Sequence, residues 1–193
     1  MKKIEKMKIG EFINCVINEP TVNSEAAIGV VSAIGTALVA KTVHDVIACG
    51  ELSEKDKATI EELTASTQNF MKYANQSVKN DKVIGEKLCE GADTSKAYIK
   101  SGKNLLNMMQ ELESVTIKTS NIAKENVDII NDDIFMKNNI YTGITMIESG
   151  SMPLYRDAIS KSESSKVMCK IVNKMDVMTD NIQESFNTFA IQE

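Results

Sequence analysis

A chain of 193 residues with 42% hydrophobic content and only 2 prolines fits one or at most two globular domains, and residues 1–193 are read as a single domain, the simpler of the two. A formal net charge of −5 with lysines scattered among the acids argues against nucleic-acid binding as the main task, because phosphate recognition needs a concentrated basic face. Cys15, Cys49, Cys89 and Cys169 form no C-x-x-C pair and His44 is the only histidine, so no metal site is expected and the thiols are read as reduced.

In chain order, the charged and polar start MKKIEKMKIG is unlike a signal peptide, which places the protein in the cytoplasm. Ile9, Phe12, Ile13, Val16 and Ile17 then repeat at helical spacing, predicting a short amphipathic helix that ends at Glu19-Pro20. From Pro20 to Val43 runs a second helix rich in small residues. Ala26, Val30, Ala33, Ala37 and Ala40 form one strip and Gly29, Ser32 and Thr36 the next, so neighbouring helices can approach it closely. Its apolar run breaks at Lys41, short of the roughly 20 residues a membrane span needs, and no membrane association is expected.

Asn23 and Ser24 are good N-cap types for this second helix, and Glu25 suits the positive end of its dipole. After a break at Cys49-Gly50-Glu51, Ser53 caps a longer helix. Its stripe of Ile60, Leu63, Thr67, Phe70, Ala74, Ser77, Asp81, Ile84 and Leu88 keeps a seven-residue repeat, as a helix packed along another requires. Asp81 is a carboxylate on that stripe: turned toward a pocket it can act as a general acid or base, and if the stripe rotates it is solvated.

Gly91-Ala92-Asp93-Thr94 closes the third helix, and a fourth carries Leu105, Met108, Leu112, Val115, Thr119, Ile122 and Ile129 on one face. Asn131 is the expected cap of a fifth, with Asp133 either a first-turn dipole residue or a catalytic group. Ser149 to Pro153 reads as a turn with Pro153 near the start of another helix. After a polar stretch from Ser160 to Lys166, the stripe Val167, Ile171, Met175, Met178, Ile182, Phe186 and Phe189 predicts a long C-terminal helix. The expected fold is all-α: an antiparallel bundle of five or six helices. More apolar face than one bundle hides predicts a two-fold homodimer.

Pro20-Thr21 followed by Ser32-Ala33-Ile34-Gly35-Thr36-Ala37-Leu38 resembles the cyclodeaminase/cyclohydrolase family. That family includes the C-terminal domain of formiminotransferase-cyclodeaminase and the methenyltetrahydrofolate cyclohydrolases, whose members open with P-T-P-G-G-G-S and a small-residue helix. The likeness extends in outline over most of the chain and in wording over residues 8–45. It implies a dimeric helical enzyme acting on a tetrahydrofolate derivative. By the same resemblance Asp81, in Lys79-Asn80-Asp81, falls where the family has a pocket carboxylate, and Asp132-Asp133 falls at its later S-D segment. Thr21, Asn23 and Ser24 take the place of the substrate-holding loop. Here the glycine triplet and serine read Asn23, Ser24, Glu25 and Ala26. Unless Glu25 turns outward, its charge weakens binding of an anionic folate. Two functions are therefore expected as alternatives: a folate-dependent one-carbon enzyme, or a helical binding or scaffold protein that kept the fold and lost the reaction.

Overall fold

The computed structural model describes residues 3–18, 24–48, 54–162 and 165–190. After a 3₁₀ turn at Ile4–Lys6, the described chain forms α1 (Ile9–Asn18), α2 (Ser24–Ala48), α3 (Glu54–Cys89), α4 (Ser95–Glu125), α5 (Val127–Asp132), α6 (Ile134–Glu148), α7 (Ser151–Ser160) and α8 (Lys166–Ala190). The all-helical expectation holds, with no strand among the described residues. Among the described residues there are eight helices rather than five or six, because Asn126, at φ −125° and ψ 25°, separates α4 from α5, and the polar stretch after Ser160 separates α7 from α8. Gly91, at φ 65°, takes the left-handed conformation that turns the chain between α3 and α4. The predicted Ser53 cap and the break at Cys49-Gly50-Glu51 lie outside the described residues.

Pairs across the helix contacts give their directions. Asn104 donates to the Tyr73 carbonyl at 3.1 Å and to Ser77 Oγ at 2.9 Å, Asn69 donates to Glu111 at 3.2 Å, and Lys118 meets Glu62 at 2.8 Å. As α4 advances, α3 recedes, so the two are antiparallel. The same logic makes α2 antiparallel to α3 and α6. By contrast α8 runs parallel to α4, since Gly102 lies against Met168, Glu113 accepts from Asn181 and Ser120 donates to the Ser185 carbonyl. This departs from the expected uniformly antiparallel bundle. The interposed α5, α6 and α7 return the chain to the end of the bundle from which α4 departs.

The central position of α2 follows from its small side chains. A Cβ placed on Gly29 would lie 2.8 Å from Ala74 Cβ and 3.0 Å from the Phe70 carbonyl oxygen, and one on Gly35 would lie 2.6 Å from the Gly143 carbonyl oxygen. Gly143 is equally constrained, 2.7 Å from the Gly35 carbonyl oxygen. Backbone therefore meets backbone on the α6 side, with Val39, Val43 and Ile47 completing the buried surface of α2. Ala37, on the predicted strip, is exposed. The core joins Leu63 and Phe70 of α3, Leu105, Met108 and Leu112 of α4, Leu154 of α7 and Met168, Met175 and Ile182 of α8. The α8 stripe begins at Met168, while Val167 is exposed. Among the described residues, α2 is the one helix long and apolar enough to cross a membrane by length and composition, and half of that window is covered by other helices.

Gly35→Ala is expected to destabilise the protein by roughly 1–3 kcal/mol, because the α2–α6 contact must open to admit the methyl group. Gly85→Ala, inside α3 with nothing within 4 Å of its added Cβ, is expected to stabilise by about 1 kcal/mol through helix propensity. Urea denaturation of the two variants beside the parent measures both signs.

Candidate functional site

The residues nominated from sequence do not converge. Thr21 and Asn23 lie outside the described residues, and Ser24, the first residue of α2, is exposed. Asp81 is half-buried near the C-terminal end of α3. Asp133, rather than Asn131, caps α6, its Oδ1 accepting from the Phe135 N–H at 2.8 Å and the Met136 N–H at 3.1 Å. Ala74 on α3 meets Gly29, whereas Gly143 on α6 meets Gly35 and Val39. Asp81 and Asp133 extend in opposite directions from these contacts, so they stand roughly 35 Å apart along the bundle at 1.5 Å per residue. One small substrate cannot touch both within a single chain.

The chemistry that does converge lies in the first turn of α2. Glu25 has no exposed surface. It accepts from Lys161 Nζ, at the α7–α8 connection. The same ammonium donates to Asp157 Oδ2 at 2.9 Å and reaches Ser101 Oγ on α4 at 3.3 Å. Lys161 keeps only 11% of its side chain exposed and Asp157 25%. Three parts of the fold are therefore tied by one cation: the start of α2, the early part of α4 and the end of α7. No group of three or more histidine, cysteine, aspartate or glutamate residues among those described is arranged to hold a metal.

Burial decides the protonation of this cluster. It pushes the Glu25 carboxyl from 4.5 up to about 8; the hydrogen bond to Asp157 adds to the rise and Lys161 opposes it. Glu25 Oε2, sealed from solvent, has no hydrogen-bond partner, so a proton kept on Glu25 removes a buried charge that nothing at that oxygen compensates. Burial works against the Asp157 charge, but the Glu25 hydrogen bond and Lys161 together hold its carboxyl below the usual range. Burial likewise works against the Lys161 charge, and attraction to Glu25 and then Asp157 outweighs it, leaving the ammonium above its ordinary value. At neutral pH the cluster is a protonated Glu25 beside an Asp157–Lys161 ion pair, with no net charge. Ionising Glu25 leaves an uncompensated buried negative charge, which is expensive.

Half of this cluster had a local signal. Asp157 and Lys161 stand four apart, the spacing of a helical ion pair. Glu25 and Lys161 are 136 residues apart, and nothing in the sequence pairs them. The recorded cavities lie elsewhere. A cavity of about 170 Å³ sits between the C-terminal part of α2, the start of α3 and the end of α4, lined by Val43, Thr59, Lys118 and Asn126 among others. A groove of about 500 Å³ runs along α3 beside the 3₁₀ turn, with Lys3, Lys72, Asn75 and Lys79 in its walls. Comparison with protein-family models and with curated proteins finds no match.

The cluster sets the sign of a pH dependence. Glu25 binds its proton more tightly folded than unfolded, so the stability it contributes is full below about pH 4.5 and is lost as pH rises through about 8. The Glu25→Gln variant, which can still accept from Lys161 and donate to Asp157, is expected to lack that slope. Between pH 5.5 and 8.5 the parent's thermal midpoint should fall by roughly 10 °C more than the variant's. Lys161→Met, which strands Asp157, is expected to cost roughly 3 kcal/mol or more. Thermal melts across that pH range check all three.

Proposed function

We propose that this chain is a helical binding or scaffold protein of the cyclodeaminase/cyclohydrolase type that has kept the fold and lost the reaction. The observation that carries this reading is Glu25, buried without exposed surface and bound by Lys161, at the position where the resembling family has the third glycine of its substrate loop. A glycine loop offers N–H groups and room to a ligand. Here the first turn of the helix is occupied by the buried Glu25 carboxyl, held by Lys161, and none of the described cavities is lined by Glu25, Asp157 or Lys161. On this reading the protein is cytoplasmic and acts through its surfaces. Those surfaces include the apolar patch of Ile129, Ile134 and Phe135, which are 42%, 60% and 76% exposed and which a two-fold homodimer would cover.

The thermal midpoint of the purified protein, measured alone and with tetrahydrofolate, its 5,10-methenyl form and its 5-formyl form, tests the reading, because a ligand that binds only the native state raises it. No shift is expected. A saturable rise with any of the three, accompanied by loss of methenyl absorbance, overturns it.

A second reading is favoured by the placement of Asp81 and Asp133 at opposite ends of the bundle. A two-fold axis across the bundle brings one end of a subunit against the other end of its neighbour. In that arrangement Asp81 of one copy and Asp133 of a second copy share a site, and a tetrahydrofolate derivative is the substrate of a cyclodeaminase or cyclohydrolase reaction. Asp81→Ala and Asp133→Ala, each inactive alone, are then expected to regain about a quarter of the parent's methenyl turnover when mixed and re-equilibrated, because mixed dimers hold one intact site. Absence of turnover in the parent and the mixture alike removes this reading.

A further inference from the structure

The N-terminal end of the molecule holds a surface that no other described element covers. None of the residues of α1 is buried. Ile9, Ile13, Val16 and Ile17, on one side of that ten-residue helix, are 78%, 53%, 39% and 74% exposed, while Phe12 and Cys15 on the neighbouring side rest against Ala26, Ala74 and Val78. The helix is held in place but leaves its aliphatic ridge in water.

The turn before α1 is also fixed. Ile4 is 4% exposed, and its N–H donates to Asn75 Oδ1 on α3 at 2.8 Å, which anchors the turn that carries Lys3 and Lys6, with Lys8 directly before the first ridge residue, Ile9. Lys3 shares the groove along α3 with Lys72 and Lys79. Glu5 and Glu11 are the acids of residues 1–18. Glu5 engages Asn75 and stands 3.6 Å from Lys3, and Glu11 accepts from the Lys8 N–H at 3.1 Å. Of the chain's net −5, residues 1–18 contribute +2 and the remainder −7.

We propose that this end of the molecule, the aliphatic ridge of α1 with the lysines of the preceding turn and the adjoining groove, docks onto a lipid surface carrying anionic headgroups. Aliphatic side chains on one face with lysines at its margin are the composition of a helix lying in the headgroup–acyl boundary. The net +2 of residues 1–18 favours an anionic surface over a neutral one at the ridge itself. A second copy is the poorer occupant, since four aliphatic side chains per subunit fall well short of the roughly 800 Å² per partner that a specific interface buries. A bilayer asks for no matching surface.

The full chain is sedimented with vesicles of phosphatidylcholine alone and of phosphatidylcholine with about one-third phosphatidylserine, at low and at about 0.5 M salt. Association with the anionic vesicles at low salt, reduced several-fold by salt and by Lys6→Glu, and reduced roughly tenfold by Ile17→Asp, is the expected result. Both positions are exposed, so the variants are expected to keep the parent's circular dichroism. Absence of association with anionic vesicles, or equal association with neutral ones, overturns the proposal. So does a dimer by light scattering that Ile17→Asp converts to monomer, because that result assigns the ridge to a second copy. These readouts are independent of folate binding.

Discussion

The fold depends on how closely α2 approaches its neighbours. Gly35 and Gly143 place carbonyl oxygens within 2.6–2.7 Å of where a partner's Cβ would stand, so α2 and α6 touch through their backbones. Gly29 makes a comparable contact with Ala74 and Phe70 of α3. Contacts this tight gain dispersion energy from many atoms at once and leave no room for side-chain adjustment. They also explain how polar residues are tolerated in the middle of the core. Ser32, Thr36 and Thr42 are buried on α2; Thr36 and Thr42 donate to carbonyls one turn earlier, at 2.8 and 3.2 Å, which satisfies those two hydroxyls without a partner helix, while Ser32 Oγ has no hydrogen-bond partner.

A centre packed this way fixes where the ends of α2 must be, and the Glu25–Lys161–Asp157 cluster is a consequence at one of them. With α6 held antiparallel to α2, the chain leaves α6 near the start of α2, as the contact of Gly150 with Ile28 records. The short α7 then delivers Lys161 to Glu25. A buried carboxyl beside an ion pair is weak evidence for stability, because desolvation offsets much of the attraction. Its clearer effect is to specify geometry: Lys161 reaches both carboxyls and Ser101 from one position, and few placements of the α7–α8 connection allow this.

Helices were legible in the sequence wherever the stripe was apolar and continuous. The stripes of α3 from Leu63 to Ile84 and of α4 from Leu105 to Thr119 face inward as their spacing predicts. Direction was not legible. Nothing in the α8 stripe says that it lies parallel to α4, since periodicity identifies a face and not its partner. Helix number was underestimated for a related reason: at Asn126 a single backbone departure splits what the hydrophobic pattern reads as one continuous element. For the site, single carboxylates at suggestive positions stood out, and the structure assigns Asp133 a capping role that its type and position equally fit. The buried cluster was illegible because its two halves are joined only by the tertiary fold, and the charge of Glu25 in a first turn matches a dipole residue as well as a core acid.

The distribution of exposed apolar surface completes the picture. Between its ends the bundle buries Leu63, Phe70, Leu105, Met108 and Leu112 completely, while α2 is covered by α3 and α6 over about half its surface and leaves Val31 and Ile34 exposed. At the end where α2 begins, the ridge of α1 remains open beside lysines. At the other, Ile129, Ile134 and Phe135 remain open around Asp128, Asp132 and Asp133, whose charges are negative. Apolar surface costs free energy in water wherever it stands. The two patches differ in their immediate neighbours, lysines of the N-terminal turn beside one and aspartates beside the other, which favours two different kinds of contact over one repeated contact. The Glu25, Asp157 and Lys161 cluster lies at the first of these ends, where one buried cation joins the start of α2 to the end of α7.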